Sequence, residues 1–311
     1  MNAYLLRRVL QMIPTLFGVV LLVFLLFNWV GGDPAYVLAG KFSNPRDIEN
    51  IRHQLGVDQP LYVQLGIFLR QVITFDFGNS WATQEPVSHI FLSRLGPSLA
   101  LMIPMLVLET LLGVVLALAV AHVRDSWIDR TLTLLTTSAM SISLLVYIIV
   151  GQYVFAFALG WFPVQGWSST PQGWVHYAVL PILLGLAVSL APAIRLYRTF
   201  VLDEIHQDYV RTARAKGVPE WRVMLVHVLR NASIPIITNV LASLPALLIG
   251  AFLLERFFSI PGIGREVILA VERSDFPVIK AVTVAVAVAT MVFNLLADLA
   301  YKWVDPRVEL S

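Results

Sequence analysis

The chain has 311 residues, of which 58% are hydrophobic and only 14% are charged. Because a soluble domain has about 25% charged residues, this composition excludes both an ordinary soluble protein and a disordered one. A net charge of +2 excludes a strongly basic nucleic-acid-binding protein, and the lack of cysteine excludes disulfide bonds and thiolate chemistry.

The first predicted element is an apolar helix at residues 9–32, directly after Arg7 and Arg8. About 20 apolar residues are needed to cross the hydrocarbon layer of a membrane. A signal peptide has a shorter apolar core that ends in small residues, whereas this run continues into Gly31-Gly32-Asp33-Pro34. We therefore expect an uncleaved transmembrane helix.

A mixed polar segment follows at residues 31–94, and its parts 48–54 and 61–72 are predicted to form short amphipathic helices. Five further membrane spans are then predicted. They lie at 95–123, in the uncharged stretch 131–194, which holds two spans separated by a turn at 160–173, and at 231–254 and 281–303. Continuous apolar runs are typical of helices rather than of barrel strands. The predicted fold class is thus an all-α integral membrane protein with six transmembrane helices.

The distribution of basic residues predicts the orientation. With the N-terminus inside, 13 of the 22 Lys and Arg residues fall in inner segments, as the positive-inside rule requires. Both termini are then cytoplasmic, residues 31–94 are extracytoplasmic, and residues 200–234 form the substantial cytoplasmic loop.

The loop at 200–234 is predicted to form two helices separated by Gly217. Glycine readily takes the left-handed conformation that ends a helix, and Pro219 fits the first turn of the next one. Asp203 and Glu204 are expected near the start of the first helix, where the helix dipole favours acids. An apolar stripe recurs every four residues, at Ile205, Tyr209 and Ala213.

Three functions are open for this loop. A basic amphipathic hairpin would lie on anionic lipid headgroups. A helix-turn-helix would read DNA, although transmembrane spans tether this hairpin at both ends. A docking element would pass motion from a soluble partner to the membrane helices.

The loop also resembles a known family. The segment Tyr209-Val-Arg-Thr-Ala-Arg-Ala-Lys-Gly217, followed by His227-Val-Leu-Arg-Asn-Ala-Ser-Ile-Pro235, is similar to the EAA loop of binding-protein-dependent ABC importer permeases of the dipeptide and oligopeptide branch. Arg211-Thr212-Ala213 replace Glu-Ala-Ala of the general consensus, and His227-Val-Leu-Arg230 replaces Ile-x-Leu-Pro, whereas Gly217 matches. The peptide branch commonly departs from the consensus in this way.

Further motifs of that branch cover the chain from end to end, although Ala100 stands where relatives often carry an acid. The motifs are Leu6-Arg-Arg-Val9, Gly32-Asp-Pro34, Leu55-Gly-Val-Asp-Gln-Pro-Leu61, Asp76-Phe-Gly78 with Ser80, Phe257-Phe-Ser-Ile-Pro-Gly-Ile-Gly-Arg265, Arg273-x-Asp-Phe-Pro-Val278, Asn294-Leu-Leu-Ala-Asp298 and Asp305-Pro-Arg307.

The resemblance implies a type I ABC importer permease fold in the bacterial inner membrane. It also implies three parts of the chain. Residues 1–94 contain the first span and the extracytoplasmic segment, residues 95–303 form a transmembrane domain of five helices, and residues 304–311 are a cytoplasmic tail. The implied partners are a second homologous permease subunit, two cytoplasmic ATPase subunits and an extracytoplasmic solute-binding protein, which would meet residues 31–94 and 255–280.

Residues 205–217 would be the coupling helix that is seated in a groove of an ATPase subunit. The residues expected to couple to the ATPase are Ile205, Asp208, Tyr209, Arg211, Thr212, Ala213, Arg214, Lys216 and Gly217.

The chain itself is expected to be no enzyme and to bind no cofactor. Of its four lysines only Lys41 follows a glycine, and Phe42 stands where a P-loop needs Ser or Thr. ATP and Mg²⁺ are therefore expected on the partner ATPase subunits. The six histidines include no pair at helical spacing, so no helical metal site is predicted.

Two acids lie within or at the edge of predicted spans. Such acids cost about 2.5–3.5 kcal/mol or more in the membrane and usually face protein or water. Glu109 is interpreted either as part of the translocation pathway or as a polar contact between helices. For Asp298 we expect a structural contact with Arg195 or Arg198.

The predicted function is the permease subunit of an ATP-driven importer, which forms the translocation pathway for di- and oligopeptides. Import of nickel or a metal chelate is an alternative, because nickel permeases share much of the sequence pattern. Alternatives of another class are a proton-coupled secondary transporter, supported by Glu109 alone, and an intramembrane protease, which would need a Gly-x-Gly-Asp motif.

Overall fold

The computed structural model describes residues 2–29, 34–39, 44–122 and 126–304. Within these ranges the chain consists of helices and turns, with one isolated β-bridge between Asn79 and Pro86. The predicted all-α fold class is confirmed.

The N-terminal third begins with one long helix and continues with three short ones. These are α1 (Asn2–Trp29), α2 (Pro34–Ala39), α3 (Pro45–Leu55) and α4 (Leu61–Thr74). Helices α3 and α4 are the two short helices predicted in the polar segment. Gly56 ends α3 in the left-handed conformation, with its N–H bonded to the carbonyls of Arg52 and His53.

Three further long helices form the body of the bundle, namely α5 (Val87–His122), α8 (Pro171–Ile205) and α15 (Phe276–Val304). Helices α5 and α8 pack closely because small residues lie at their crossing. The ring of Tyr197 on α8 lies against Gly113 of α5, and Met105 of α5 lies against Gly185 of α8.

The third predicted span is bent rather than straight. It consists of α6 (Trp127–Met140) and α7 (Leu144–Gly151), which runs on as a π-helix to Ala158, and the two parts meet at 90°. The bend falls at Ser141–Ser143, where Ser143 starts the second helix. The described residues thus hold five helices that are long and apolar enough to span a membrane, or six if the bent pair crosses once.

The bounds predicted for the fifth span, 231–254, are wrong. A helix starts at α10 (Glu220–Arg222), continues through a π-helical segment (Val223–Val228) and ends with α11 (Leu229–Ser243). The helix predicted after Gly217 thus runs directly into the fifth span past Arg230, where the sequence suggested a boundary, and Val223 and Val228 in its π-helical segment are fully buried. Gly250, with φ of +71°, then breaks the chain direction.

Three short helices follow α11, namely α12 (Ala246–Ile249), α13 (Phe252–Phe257) and α14 (Ile263–Glu272). They lie with α3 and α4 at the end of the bundle where α5 begins, which we call the far end. Helix α9 (Asp208–Ala215) lies at the opposite end, where α5 and α8 finish, which we call the hairpin end.

Candidate functional site

The segment after α8 forms a helical hairpin whose turn is made by Gly217. Gly217 has φ of +77°, and its N–H donates to the carbonyl of Arg214 at 2.9 Å. Val218 N–H reaches back to the carbonyl of Ala213 at 3.2 Å, which completes a helix C-cap of the predicted kind. The predicted helix–glycine–helix order is confirmed.

The acids predicted at the start of the first hairpin helix lie elsewhere. Asp203 and Glu204 belong to the last turn of α8, because that helix runs on to Ile205 before the chain turns. The acid in the first turn of α9 is Asp208. The sequence suggested no break at 206–207, since neither glycine nor proline marks it.

One face of α9 is buried against the ends of the long helices. Val210 is fully buried and Ala213 nearly so. They pack with Val201 of α8, with Ala121 of α5 and with Val228 of the π-helical segment before α11. This buried face joins the hairpin to the ends of α5 and α8 and to the start of the span that contains α11.

A polar contact fixes the start of α9. The hydroxyl of Tyr209 donates to Oε2 of Glu204 at 2.5 Å. Burial of the ring, together with the nearby carboxylate, raises the pKa of Tyr209 to about 12, so the phenol stays protonated and remains a donor. Ile205 is half-buried in the same apolar cluster.

The opposite face of α9 is exposed and carries most of its polar side chains. Its exposed residues are Asp208, Arg211, Thr212, Arg214, Ala215 and Lys216. Arg214 makes two hydrogen bonds to Glu220, at 2.6 and 3.1 Å. These bonds hold the pKa of the Arg214 guanidinium above its ordinary value and tie the two hairpin helices together. Arg211 lies 3.6 Å from Asp208.

At the far end, the structure brings two of the quoted motifs together. The buried carboxylate of Asp275, just before α15, accepts hydrogen bonds from the hydroxyl of Ser80 at 2.5 Å and from the N–H of Trp81 at 3.0 Å. The loop between α4 and α5 is therefore held on the start of α15 by one acid.

A second buried acid fixes the chain between α13 and α14. Oε1 of Glu255 accepts from the hydroxyl of Ser98 at 2.7 Å, and Oε2 accepts from the N–H of Arg265 at 2.9 Å. Ser98 in turn accepts from the N–H of Ile263 at 2.8 Å. Burial raises the pKa of Glu255, while these hydrogen bonds oppose the rise. Gly262 lies so close to the carboxylate that a Cβ there would collide with it.

Comparison with known proteins gives the family. A family model described as binding-protein-dependent transport system inner membrane component matches residues 109–310, and the model of the N-terminal part matches residues 1–102. The chain belongs to this family of inner membrane permeases. The permease therefore has the type I ABC permease fold.

Relatives match the permease over its full length. A protein of Brucella abortus (strain 2308), provisionally named a peptide transport system permease, is 35% identical over 311 residues, which cover 99% of both chains. The glutathione transport system permease protein GsiC of Salmonella typhi is 37% identical over 305 residues, which cover 98% of both chains.

The structure gives Asp298 of the permease a different partner from the one expected. Asp298 on α15 forms an ion pair with Arg8 on α1, at 2.9 Å. Arg198 pairs with Asp129 of α6 instead, also at 2.9 Å. Sequence spacing cannot show that α1, the most distant helix in the chain, lies beside α15.

Glu109 lies half-buried on α5, beside Ser189 of α8. This position is compatible with a polar contact between helices, and its part in a translocation pathway stays a prediction.

Sequence reasoning missed three charged residues that make specific contacts in the structure. Glu255 was hidden because the predicted fifth span ended just before it, and Asp129 because it stands beside Arg130. Lys280 was taken as the boundary of the sixth span, whereas it lies in the second turn of α15. A lysine followed by a long apolar run was the one signal that could have identified it.

Proposed function

We propose that the permease is a subunit of an ATP-driven importer of di- and oligopeptides, which receives its cargo from an extracytoplasmic binding protein. The names of its relatives support this cargo, since they are described as peptide and glutathione transport system permeases. The dependence on a binding protein follows the description of the family.

The observation that carries the proposal is the construction of the hairpin. Helix α9 has one face buried against the ends of the transmembrane helices and one face that is exposed and rich in charge. A partner bound to the exposed face can displace α9, and the buried face then transmits this displacement to the transmembrane helices. The cytoplasmic ATPase subunits are the proposed partner.

The proposed assembly has two homologous permease subunits, two ATPase subunits and one binding protein, surrounded by membrane lipid. The hairpin end then faces the cytoplasm together with both termini, and the far end faces the binding protein. The permease is proposed to hold no nucleotide itself, with ATP and Mg²⁺ bound by the ATPase subunits. The lack of a P-loop sequence supports this division of roles.

The test is transport by the assembled complex in proteoliposomes, with the binding protein and a labelled peptide outside and ATP inside. We expect peptide uptake that requires ATP. The double variant Arg211→Glu, Lys216→Glu reverses the charge of the exposed α9 face. It should assemble and hydrolyse ATP, with uptake lowered at least about tenfold, because lost interface charge pairs typically cost a few kcal/mol.

The control variant is Arg130→Glu, which reverses an exposed charge on α6, outside the hairpin. It should leave the ratio of peptide imported to ATP hydrolysed unchanged. Normal uptake by the double variant would contradict the docking role. Uptake of nickel without uptake of peptides would contradict the proposed cargo, and uptake driven by an ion gradient without nucleotide would contradict the ATP-driven mechanism.

A further inference from the structure

A cavity of about 860 Å³ lies at the far end of the permease. Its walls are formed by α1, α3, α4, the loop before α5 and the start of α15. This volume is within the range of about 300–1,000 Å³ that is typical of small-molecule sites. The hairpin lies at the opposite end of the bundle and contributes no residue to the cavity lining.

The lining of the cavity joins aromatic rings to polar side chains. The rings of Phe27, Phe276 and Trp81 form a chain of contacts along one side, with centroids 5.0 and 5.5 Å apart. The side-chain amides of Gln71 and Asn79 line the cavity as well, and each can both donate and accept hydrogen bonds. A ligand that has both apolar and polar groups fits such a lining.

Lys280 supplies a positive charge to the cavity wall. Its Nζ lies 5.5 Å from the ring centroid of Phe27 and 5.2 Å from that of Phe68. Among the residues that the structure describes, its ammonium group is paired with these rings and with no carboxylate. A partly buried ammonium is most favourable with an anionic partner, so the environment of Lys280 favours an anionic ligand group.

The acids of the same cavity already have basic neighbours. Glu49 lies 3.5 Å from Arg52, and Asp58 lies 2.6 Å from His53. The α3 side of the cavity therefore offers charges of both signs, whereas the Lys280 side offers a cation framed by aromatic rings.

We propose that this cavity binds the carboxylate end of a peptide through Lys280 before the peptide is translocated. The inference rests on the proposed peptide cargo and adds a binding subsite to it. A phospholipid phosphate would satisfy the same charge, but it would leave the amides of Gln71 and Asn79 unused. Amides and charges of both signs on the α3 and α4 side instead suit the polar backbone of a short peptide.

The experiment compares two forms of one labelled peptide, with a free C-terminal carboxylate or with a C-terminal amide. The two forms are chosen so that the binding protein binds them with similar affinity. Uptake is measured in proteoliposomes with the full complex of wild type, Lys280→Met, Lys280→Arg and Arg70→Met. Arg70→Met is the matched control because it removes an exposed charge from α4 without changing the cavity lining.

We expect Lys280→Met to lower uptake of the free-carboxylate form about tenfold, with little change for the amide form, since one charged hydrogen bond is lost. Lys280→Arg and Arg70→Met should keep the wild-type ratio of the two forms. Because both forms are compared in the same preparation, a folding defect cancels from the ratio.

An unchanged ratio of the two forms in Lys280→Met would overturn the inference. If uptake of both forms falls equally and the loss varies with the anionic lipid content of the vesicles, Lys280 binds a phospholipid instead. A wild-type complex that imports neither form would contradict the proposed cargo itself, and this outcome differs from an unchanged ratio in a complex that imports peptides.

Discussion

Gly217 shows how one residue sets the geometry of the hairpin. Its φ of +77° is in the left-handed region, which costs other residues about 1–2 kcal/mol. No neighbouring atom lies within 4 Å of the position that a Cβ would take. The need for glycine here is thus a need for backbone conformation and not for space.

We predict that Gly217→Pro uncouples the transporter. Proline cannot take a positive φ and removes the N–H that bonds to Arg214, so the C-cap of α9 must open at a cost of about 2 kcal/mol or more. Because the transmembrane helices are untouched, the complex should still assemble. The measurement is the number of ATP molecules hydrolysed per peptide imported, which should rise severalfold.

Gly160→Pro is the matched control for this prediction. Gly160 also has a positive φ, of +64°, with no atom within 4 Å of a Cβ, but it lies in the loop between α7 and α8. It should leave the ATP-to-peptide ratio unchanged. Equal effects of the two variants would mean that local strain, and not the hairpin, is responsible.

At the scale of single residues, the sequence predicted the turn glycine but not the partners of the charged side chains. Gly217 was recognisable because helix C-caps have a strong local signature. The ion pairs of Arg8 with Asp298 and of Arg198 with Asp129 join residues 290 and 69 positions apart in the chain. Such pairs depend on helix packing, which local sequence does not encode.

At the scale of elements, two buried acids hold the loops of the far end in place. Asp275 binds the loop before α5, and Glu255 binds the chain that leads into α14. Ser80 and Asp275 belong to two motifs that are far apart in the sequence, yet these motifs meet in space. These loops are therefore fixed by specific hydrogen bonds as well as by apolar packing.

We predict that Asp275→Asn destabilises the permease by about 1–3 kcal/mol, because an amide nitrogen then faces a backbone N–H that has lost its acceptor. Thermal unfolding in detergent should move to lower temperature, and proteolysis of residues 75–86 should become faster. Asp76→Asn is the control, since exposed Asp76 accepts one hydrogen bond, from Gly78 N–H at 3.1 Å. It should change stability by less than about 0.5 kcal/mol. Equal stability of the two variants would refute the role given to Asp275.

The elements themselves were predictable where hydropathy alone decides them. Helices α1, α5, α8 and α15 appear as predicted spans because each contains an apolar run of membrane length. The bend between α6 and α7 and the unbroken run from α10 into α11 were not predictable. Both depend on whether an irregular segment finds buried partners in the bundle.

At the scale of the whole molecule, ion pairs join distant helices at the hairpin end. Arg8 and Asp298 link α1 to α15, and their side chains are 45% and 27% exposed. At this exposure such a pair contributes up to about 1 kcal/mol, so its main effect is to fix where α1 lies.

We predict that Asp298→Asn lowers the yield of assembled complex modestly, with a loss of stability of about 1 kcal/mol or less. The exchanged pair Arg8→Asp, Asp298→Arg should restore part of the yield. Size-exclusion chromatography of the purified complex measures it. Full assembly and transport by Asp298→Asn would show that this contact has no structural role.

Helix α8 runs without a break through 35 residues, despite Pro181 and Pro192 inside it. At 1.5 Å per residue it is about 52 Å long, so a tilt of about 10° at one end would swing the other end through about 9 Å. Its last residues pack on the hairpin, and the loop before it bonds to the carbonyl of Phe258 through Gly166 N–H at 2.9 Å. A rigid α8 would therefore convert a small rotation at one membrane surface into a displacement of several ångströms at the other surface, as about 9 Å for a tilt of about 10° shows.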